Sequence, residues 1–304
     1  MATVSIIVPT FRRQDSLRRT LASCLRQAGV DPAAVEVVVV DNCPQGSAAD
    51  TVATVADGAA MAIRYVHERR PGVSHARNAG VNAARADLLV FLDDDEEALE
   101  GWLAALLATQ ARFDADLVFG PVIAHFERPP PLDADFVGLF FSRTDPGPTR
   151  LIDNYHGSGN SLLVRERCID SDEPFDPRMT RTGGEDTMLF ECLKRSGRTF
   201  AWCAEAPVLE HVDGSRVGLS YLAKRSFRRG QSPSMACAMA NPPDRLGVAR
   251  WMAIGAGQLV VHGLVAVALS PFRSRRALDQ ARRAIEGAGK LLWMQPFRPA
   301  DYGG

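Results

Sequence analysis

A short apolar run, Leu88 to Leu92, empties directly into five consecutive acids, Asp93 to Glu97. The run has the length and composition of a buried strand. Five adjacent carboxylates repel one another, and a merely solvated face seldom follows a core strand so abruptly. A hard divalent cation would relieve the repulsion, because Mg²⁺ and Mn²⁺ take oxygen ligands and commonly bridge one or two carboxylates to substrate phosphates. The plainer alternative is an acidic first turn for a helix over Ala98 to Gln110, where acids suit the helix dipole.

The rest of the first third repeats one pattern. Val4–Val8 is a β-branched run halted by Pro9, and Thr10–Arg13 reads as the loop after a buried strand. A helix follows with Leu17, Leu21, Leu25 and Ala28 on one face and Gly29 as its stop. Val35–Val40 is the next strand and ends on Asp41-Asn42. A helix around Ala48–Ala56, a strand over Ile63–Val66 and a helix from Gly72 to about Ala86 lead to the acid-tipped strand. Strands alternating with helices predict an α/β fold, a mostly parallel sheet covered on both faces. Ligands of such sheets sit beyond the carboxyl ends of the strands, so Pro9–Arg13, Asp41–Asn42 and Asp93–Asp95 should line one crevice.

The chain's net charge of −1 conceals an asymmetry. From Arg216 onward there are 14 Lys and Arg against 4 Asp and Glu, while the preceding residues carry 21 against 32. An acidic body with a basic end suggests that the end meets an anionic surface. Six scattered cysteines contain no C-x-x-C pair, which argues against a zinc site and favours reduced thiols in a cytosol. The apolar run at the N-terminus is too short for a signal peptide. No nucleic-acid-binding motif is present.

Five stretches occur in register: Val4–Arg13, Val38–Asn42, Gly72–Gly80, Phe91–Asp95 and Gly183–Asp186. Together they resemble the family 2 glycosyltransferases, inverting enzymes with a GT-A fold, over roughly residues 3–230. The later portion resembles more narrowly the bacterial exopolysaccharide glucosyltransferases of the succinoglycan (ExoM) type. The resemblance implies a Rossmann-like mixed, mostly parallel sheet flanked by helices. It places a glycosyltransferase domain over 1–230, with 1–120 as the nucleotide-sugar half and 121–230 as the acceptor and catalytic half. Residues 231–304 then form an apolar, basic, membrane-associated helical tail.

By the same resemblance Pro9, Thr10, Phe11, Arg12 and Asp41 hold the base and ribose of a nucleotide diphosphate, and Arg77 sits near the base or phosphates. Arg77 could equally be a surface arginine on an amphipathic helix. Asp93 and Asp94 would bind ribose and donor sugar, and Asp95 the metal, Mn²⁺ or Mg²⁺. Glu96 and Glu97 remain as first-turn acids of the helix. Asn42 stands where the family usually has a second Asp and can still accept a hydrogen bond.

Inversion needs a general base to take the acceptor hydroxyl's proton, while a metal neutralises the departing diphosphate. Gly183-Gly184 lets the backbone approach a substrate closely. The resemblance puts the base at Asp186, with Glu185 beside it as an acceptor or sugar contact; helix capping is the alternative. Gly159 and Asn160 belong to a small-residue segment near donor sugar and acceptor, or to a plain turn. His211 lies where some GT-A enzymes supply a further metal ligand, though a lone histidine is more often structural. His75 and His156 are weaker candidates.

After Asp213 the character changes. Tyr221–Gly230 reads as a basic helix with Lys224, Arg225, Arg228 and Arg229, of which Arg225 or Arg228 could touch the diphosphate. Trp251–Phe272 runs 22 residues without a charge between Arg250 and Arg273-Ser274-Arg275-Arg276. That length can span a bilayer. Helices lying on or dipping into the cytoplasmic leaflet are the favoured reading, with Ala277–Trp293 as a second amphipathic piece. A spanning helix and a soluble or homo-oligomeric interface are the alternatives. Both flanks are basic and so give no orientation.

The expected activity is transfer of a sugar from a nucleotide diphosphate sugar, UDP-hexose above all, to a lipid-linked or growing saccharide. A sugar nucleotidyltransferase would show a Gly-rich loop after its first strand, where this chain has Pro9-Thr10-Phe11-Arg12. A non-catalytic scaffold would need neither Asp95 nor Asp186.

Overall fold

The computed structural model describes residues 2–180, 183–240, 242–272 and 274–297. Arg273, one of the expected basic flanks, and residues 298–304 of the tail lie outside them. In chain order the first elements are β1 (Val4–Thr10), α1 (Gln14–Leu25), β2 (Val35–Asp41), α2 (Ala49–Ala56), β3 (Ala62–His67) and α3 (Val73–Ala83). Next come β4 (Leu88–Phe91), β5 (Glu96–Ala98), α4 (Trp102–Phe113), β6 (Leu117–Phe119), β7 (Val122–His125) and α5 (Ala134–Phe141). They are followed by β8 (Arg150–Ile152), β9 (Ser161–Val164), α6 (Arg165–Cys168), α7 (Glu185–Arg195), β10 (Phe200–Trp202) and β11 (Val208–His211). The long helices α8 (Leu219–Met239), α9 (Arg245–Leu269) and α10 (Arg275–Leu291) complete the chain.

Among the described residues one sheet has eight strands in the order β3-β2-β1-β4-β9-β6-β10-β8, and a second has three, β5-β11-β7. β1 pairs in parallel with β2 and β4, and β2 with β3. β9 lies antiparallel between β4 and β6, so the sheet is mixed. Alternation along the strands splits the core into two layers. Ile6, Val8, Val37, Val39 and Val90 pack with Leu17 and Leu21 of α1 and with Trp102 and Leu106 of α4. Ile7, Val38, Val40, Leu89 and Phe91 face the other way, onto Ala76 and Val81 of α3 and Leu189 and Phe190 of α7. Burial on both faces is why these strands read as nearly continuous apolar runs, interrupted only by Ser5 and Glu36, which hydrogen-bond to each other.

The chain forms two compact units. The first comprises residues up to His125 together with Ser142–His211, and holds both sheets. The second comprises, among the described residues, Phe126–Phe141 and Val212–Phe297, and is helical. The expected boundary at residue 230 falls inside the continuous helix α8.

A second expectation is corrected near the acids. The helix predicted from Ala98 begins at Trp102, preceded by Gly101 at φ +78°. Glu96–Ala98 is instead a strand paired antiparallel with β11. Glu96 and Glu97 are therefore not first-turn acids, because pairing with a strand about a hundred residues later overrides local preference.

Candidate active site

The loop after β1 and the acids after β4 are tied to each other. The hydroxyl of buried Thr10 donates to Asp94 Oδ2 at 2.7 Å. Arg13 Nη1 donates to Asp94 Oδ1 and to Asp95 Oδ2, each at 2.9 Å. From α1, buried Thr20 donates its hydroxyl to the carbonyls of Asp94 (3.0 Å) and Glu96 (2.7 Å). The turn is closed by Glu96 Oε2, which accepts the amide of Asp93 at 3.0 Å. Burial lifts the Asp94 carboxyl to about 6, with Arg13 pulling down and Asp95 pushing up. Burial, then the charge of Asp93, lifts Glu96 well above the carboxylate range.

The second side of the site is α7, whose N-terminus carries Glu185 and Asp186 behind Gly184 at φ +91°. Glu185 is 3% exposed and accepts from Arg77 Nη1, while Arg77 Nη2 lies 3.5 Å from Asp93 Oδ1. Arg77 is thus a buried bridge between the two acidic groups, not a surface residue. Burial raises Glu185 to about 7 despite Arg77, and the Asp186 charge adds to the rise. Its Oε2 is buried with no hydrogen-bond partner among the described residues. Asp186 is half-buried and accepts the amides of Ser158 (3.2 Å) and Thr187 (2.7 Å). Asp93, whose side chain is 42% exposed, is raised by burial, lowered by Arg77, then raised by the charges of Asp95 and Asp186. The Asp93–Asp95 loop and the head of α7 are therefore electrostatically one cluster.

Gly159 closes this cluster from a third direction. A Cβ there would lie 2.7 Å from Glu96 Oε1 and 2.8 Å from Asp93 Oδ2, so only glycine lets the backbone come so near. The loop is gripped by Arg143, which sequence reasoning missed. Its guanidinium donates to the carbonyls of Gly157 (2.8 Å), Gly120 (3.1 Å), Asn160 (3.2 Å) and Gly159. Arg143 has no motif around it, and all its partners are main-chain oxygens distant in sequence.

Two expected ligand contacts turn inward. Asp41 is 0% exposed; it accepts the amides of Cys43 (3.0 Å) and Ala48 (2.6 Å) and the Tyr65 hydroxyl (3.1 Å). It shapes the loop after β2 from within. Asn160, at φ +51°, accepts from Trp102 Nε1 (2.7 Å) and donates to the carbonyls of Pro121 and Ala206 (2.8 Å each). Asn42 is likewise committed, donating to the carbonyls of Glu68 and Arg70 and accepting the Gly72 amide at 2.6 Å. Arg12, exposed and at φ +55°, reaches Gln45 (3.1 Å) and lies 5.1 Å from the Phe11 ring. Pro9 is the penultimate residue of β1.

His211 Nε2 is 2.8 Å from Glu97 Oε2, and its amide donates to the Asp95 carbonyl at 2.8 Å. Its ring is joined to Glu97 and sits 4.8 Å from that of His125. His156 packs against Phe119 and Trp202, and burial followed by the Arg143 charge lowers it to about 4, as for a neutral core histidine. Arg225 lies 4.8 Å from the Phe141 ring within the second unit. Among the described residues no group of three or more His, Cys, Asp or Glu is arranged to hold a metal ion. The donors that gather are hard carboxylate oxygens, already raised toward protonation by burial first and by one another's charge second. Such a set fits a hard cation that takes its remaining ligands from a phosphate-bearing substrate, and not a closed protein cage.

Residues 5–154 match the model of glycosyl transferase family 2. The succinoglycan biosynthesis protein ExoM of Rhizobium meliloti (strain 1021) is 34% identical over 75% of this chain and 73% of its own length. The chain belongs to glycosyltransferase family 2. This glycosyltransferase is also 26% identical, over 98% of its length, to the pre-mycofactocin glycosyltransferase of Mycobacterium tuberculosis (strain ATCC 25618 / H37Rv), covering 63% of that protein. Its fold matches that of S. aureus TarS 1–349 in complex with UDP with a TM-score of 0.57 at 14% identity, over 95% of this chain and 89% of that one. The architecture is the GT-A type expected from the motifs, and the enzyme is related to proteins of exopolysaccharide biosynthesis.

Proposed function

We propose that the protein is an inverting, metal-dependent glycosyltransferase that moves a hexose from a UDP-sugar to a lipid-linked or growing saccharide in exopolysaccharide or surface-glycan assembly. The carrying observation is the half-buried Asp186 carboxylate at the head of α7, close enough to Asp93 for its charge to raise that acid. One acid cluster thus presents a carboxylate with open surface opposite another group of carboxylates, as base and donor site require. A UDP complex and a UDP-GlcNAc complex of the structural neighbour TarS support the donor class.

In this reading Asp186 accepts the proton of the acceptor hydroxyl as it attacks the anomeric carbon. The Ser158 and Thr187 amides hold the carboxylate's orientation. Glu185, carrying a proton part of the time near neutral pH, offers its buried Oε2 to a sugar hydroxyl. Asp93 and Asp94 hold the ribose and donor sugar, Arg77 lies near the base or phosphates, and Thr10, Phe11 and Arg12 flank the base. Asp95 would hold Mn²⁺ or Mg²⁺, with His211, whose amide donates to the Asp95 carbonyl, beside it on β11. The cation, when bound, offsets the diphosphate's charge as Lewis acid and template. Attack from behind an α-linked donor leaves a β-linked product. The apolar and basic helices of the second unit support a location at the anionic cytoplasmic face of the inner membrane.

The test is turnover of a nucleotide-sugar panel with Mn²⁺ or Mg²⁺ and a bacterial lipid extract, alongside Asp186→Asn and Asp95→Asn. Metal-dependent UDP release should be lost in both, with donor binding retained by Asp186→Asn. Turnover that survives Asp186→Asn rules out this base.

A further inference from the structure

Helix α9 is inside out for a protein in water. Its packed side carries Gln258 and His262 with Gly255, whereas Ile254, Leu259, Val260, Val261, Leu264, Val265 and Val267 are exposed. Val260 is 58%, Leu264 68% and Val267 72% exposed. At 100° per residue most of these apolar side chains fall on one arc of roughly half the circumference, wider than the narrow seam of a two-helix interface. The most apolar 18 residues of the helix have a mean hydropathy of 1.9, and only 6% of that stretch is buried. Apolar residues outward and polar residues toward a neighbouring helix suit lipid, where small residues and hydrogen bonds join helices.

The neighbour is α10. His262 Nδ1 lies 2.7 Å from Gln280 Oε1, and at Gly255 and Gly287 the backbones meet so closely that a Cβ on either would lie 2.7 Å from the other's carbonyl oxygen. These two contacts make the helices antiparallel neighbours along the middle of α9. Within the same stretch α10 carries Asp279, Arg282, Arg283 and Glu286, linked by ion pairs of 2.6–2.9 Å. Were α9 to cross a bilayer, these four charges would be drawn to its centre, which is strongly unfavourable.

We infer that α9 lies in the plane of an anionic membrane, its outward arc among the acyl chains and α10 on its polar side, and that it does not span. Exposed Arg245, Arg250 and Arg276, near the ends of the two helices, then reach anionic headgroups. This rests on the membrane reading given under Proposed function and adds its mode.

The test uses the full chain with a C-terminal epitope, added to sealed vesicles of phosphatidylglycerol and phosphatidylethanolamine and separated by flotation. The wild type should float, protease added outside should remove the epitope, and the Val260→Glu/Leu264→Glu double variant should lose at least about tenfold in bound fraction. Leu151→Glu, at an exposed site of the first unit, should float like the wild type. Circular dichroism confirms that the variants fold. Flotation with a protected epitope overturns the in-plane mode but leaves the membrane reading intact. Flotation unchanged in the double variant overturns the assigned surface. Absence of flotation overturns both, and sedimentation then shows whether α9 pairs with a second copy. Donor turnover in detergent is read separately, so the transferase reading stands or falls by itself.

Discussion

Replacing Arg143 by methionine keeps much of the side chain's length and removes the fork that grips the Gly157–Asn160 loop. The Asn160 carbonyl retains the amide of Gly120 at 3.1 Å, so the main loss falls on the Gly120, Gly157 and Gly159 carbonyls. Leaving a buried acceptor unsatisfied costs about 1–3 kcal/mol, so three of them predict a loss of about 3–9 kcal/mol. That is a large part of the stability of an ordinary domain, about 5–15 kcal/mol. Burial lowers the guanidinium's own pKa, while Glu96, Asp93 and Asp186 hold it charged. Removing its charge should therefore raise Glu96 and Asp93 further and move the acid limb of the activity profile to higher pH. Arg143→Lys restores the charge but donates from a single point, and should recover less than half the stability. Urea unfolding followed by tryptophan fluorescence measures both variants. An Arg143→Met midpoint equal to that of the wild type, or full rescue by lysine, would refute the loop-clamp argument.

Other expectations follow from the same geometry. Burial raises Glu185 from 4.5 to about 7. The folded chain keeps a proton that the unfolded chain releases, so stability is greatest below 4.5 and declines as pH rises toward 7. The shift corresponds to about 3 kcal/mol, reduced by the coupling to Arg77. Calorimetry of Glu185→Gln should show a flatter pH dependence and a gain of about 1–3 kcal/mol at pH 8, while transferase activity falls. An unchanged slope between pH 5 and 8 would contradict it. Gly72 adopts φ +131° against the Thr180 side chain, where a Cβ would lie 2.9 Å from Thr180 Cβ. Gly72→Ala should cost about 2–4 kcal/mol in thermal unfolding and weaken donor binding by displacing the start of α3, which carries Arg77. Asn160→Ala strands the Trp102 indole N–H and two carbonyls, and should lower stability by about 3 kcal/mol or more in the same assay.

Much of the first unit was legible because its strands are buried on both faces. Val4–Val8, Val35–Val40 and Leu88–Phe91 are apolar but for the hydrogen-bonded pair Ser5 and Glu36, and their polar tips fall at the carboxyl ends of parallel strands. Thr10, Asp93, Asp94, Asp95, Glu185 and Asp186, singled out this way and by family pattern, are brought together in the acid cluster. Glu96 and Glu97 were misplaced because their strand exists only through β11, and a three-residue strand leaves no periodicity to read. The same limit hid Arg143.

Sequence alone determined the α/β order, the family, the acid cluster and the length and apolarity of α9, because each is carried by consecutive residues or a local period. The tertiary structure alone decided where the polar groups point. It turned Asp41 and Asn160 inward, made Arg77 a buried bridge and set Gln258 and His262 against α10. Those outcomes depend on partners far apart in the chain, and a buried donor or acceptor takes whichever partner the packed backbone brings within hydrogen-bonding distance.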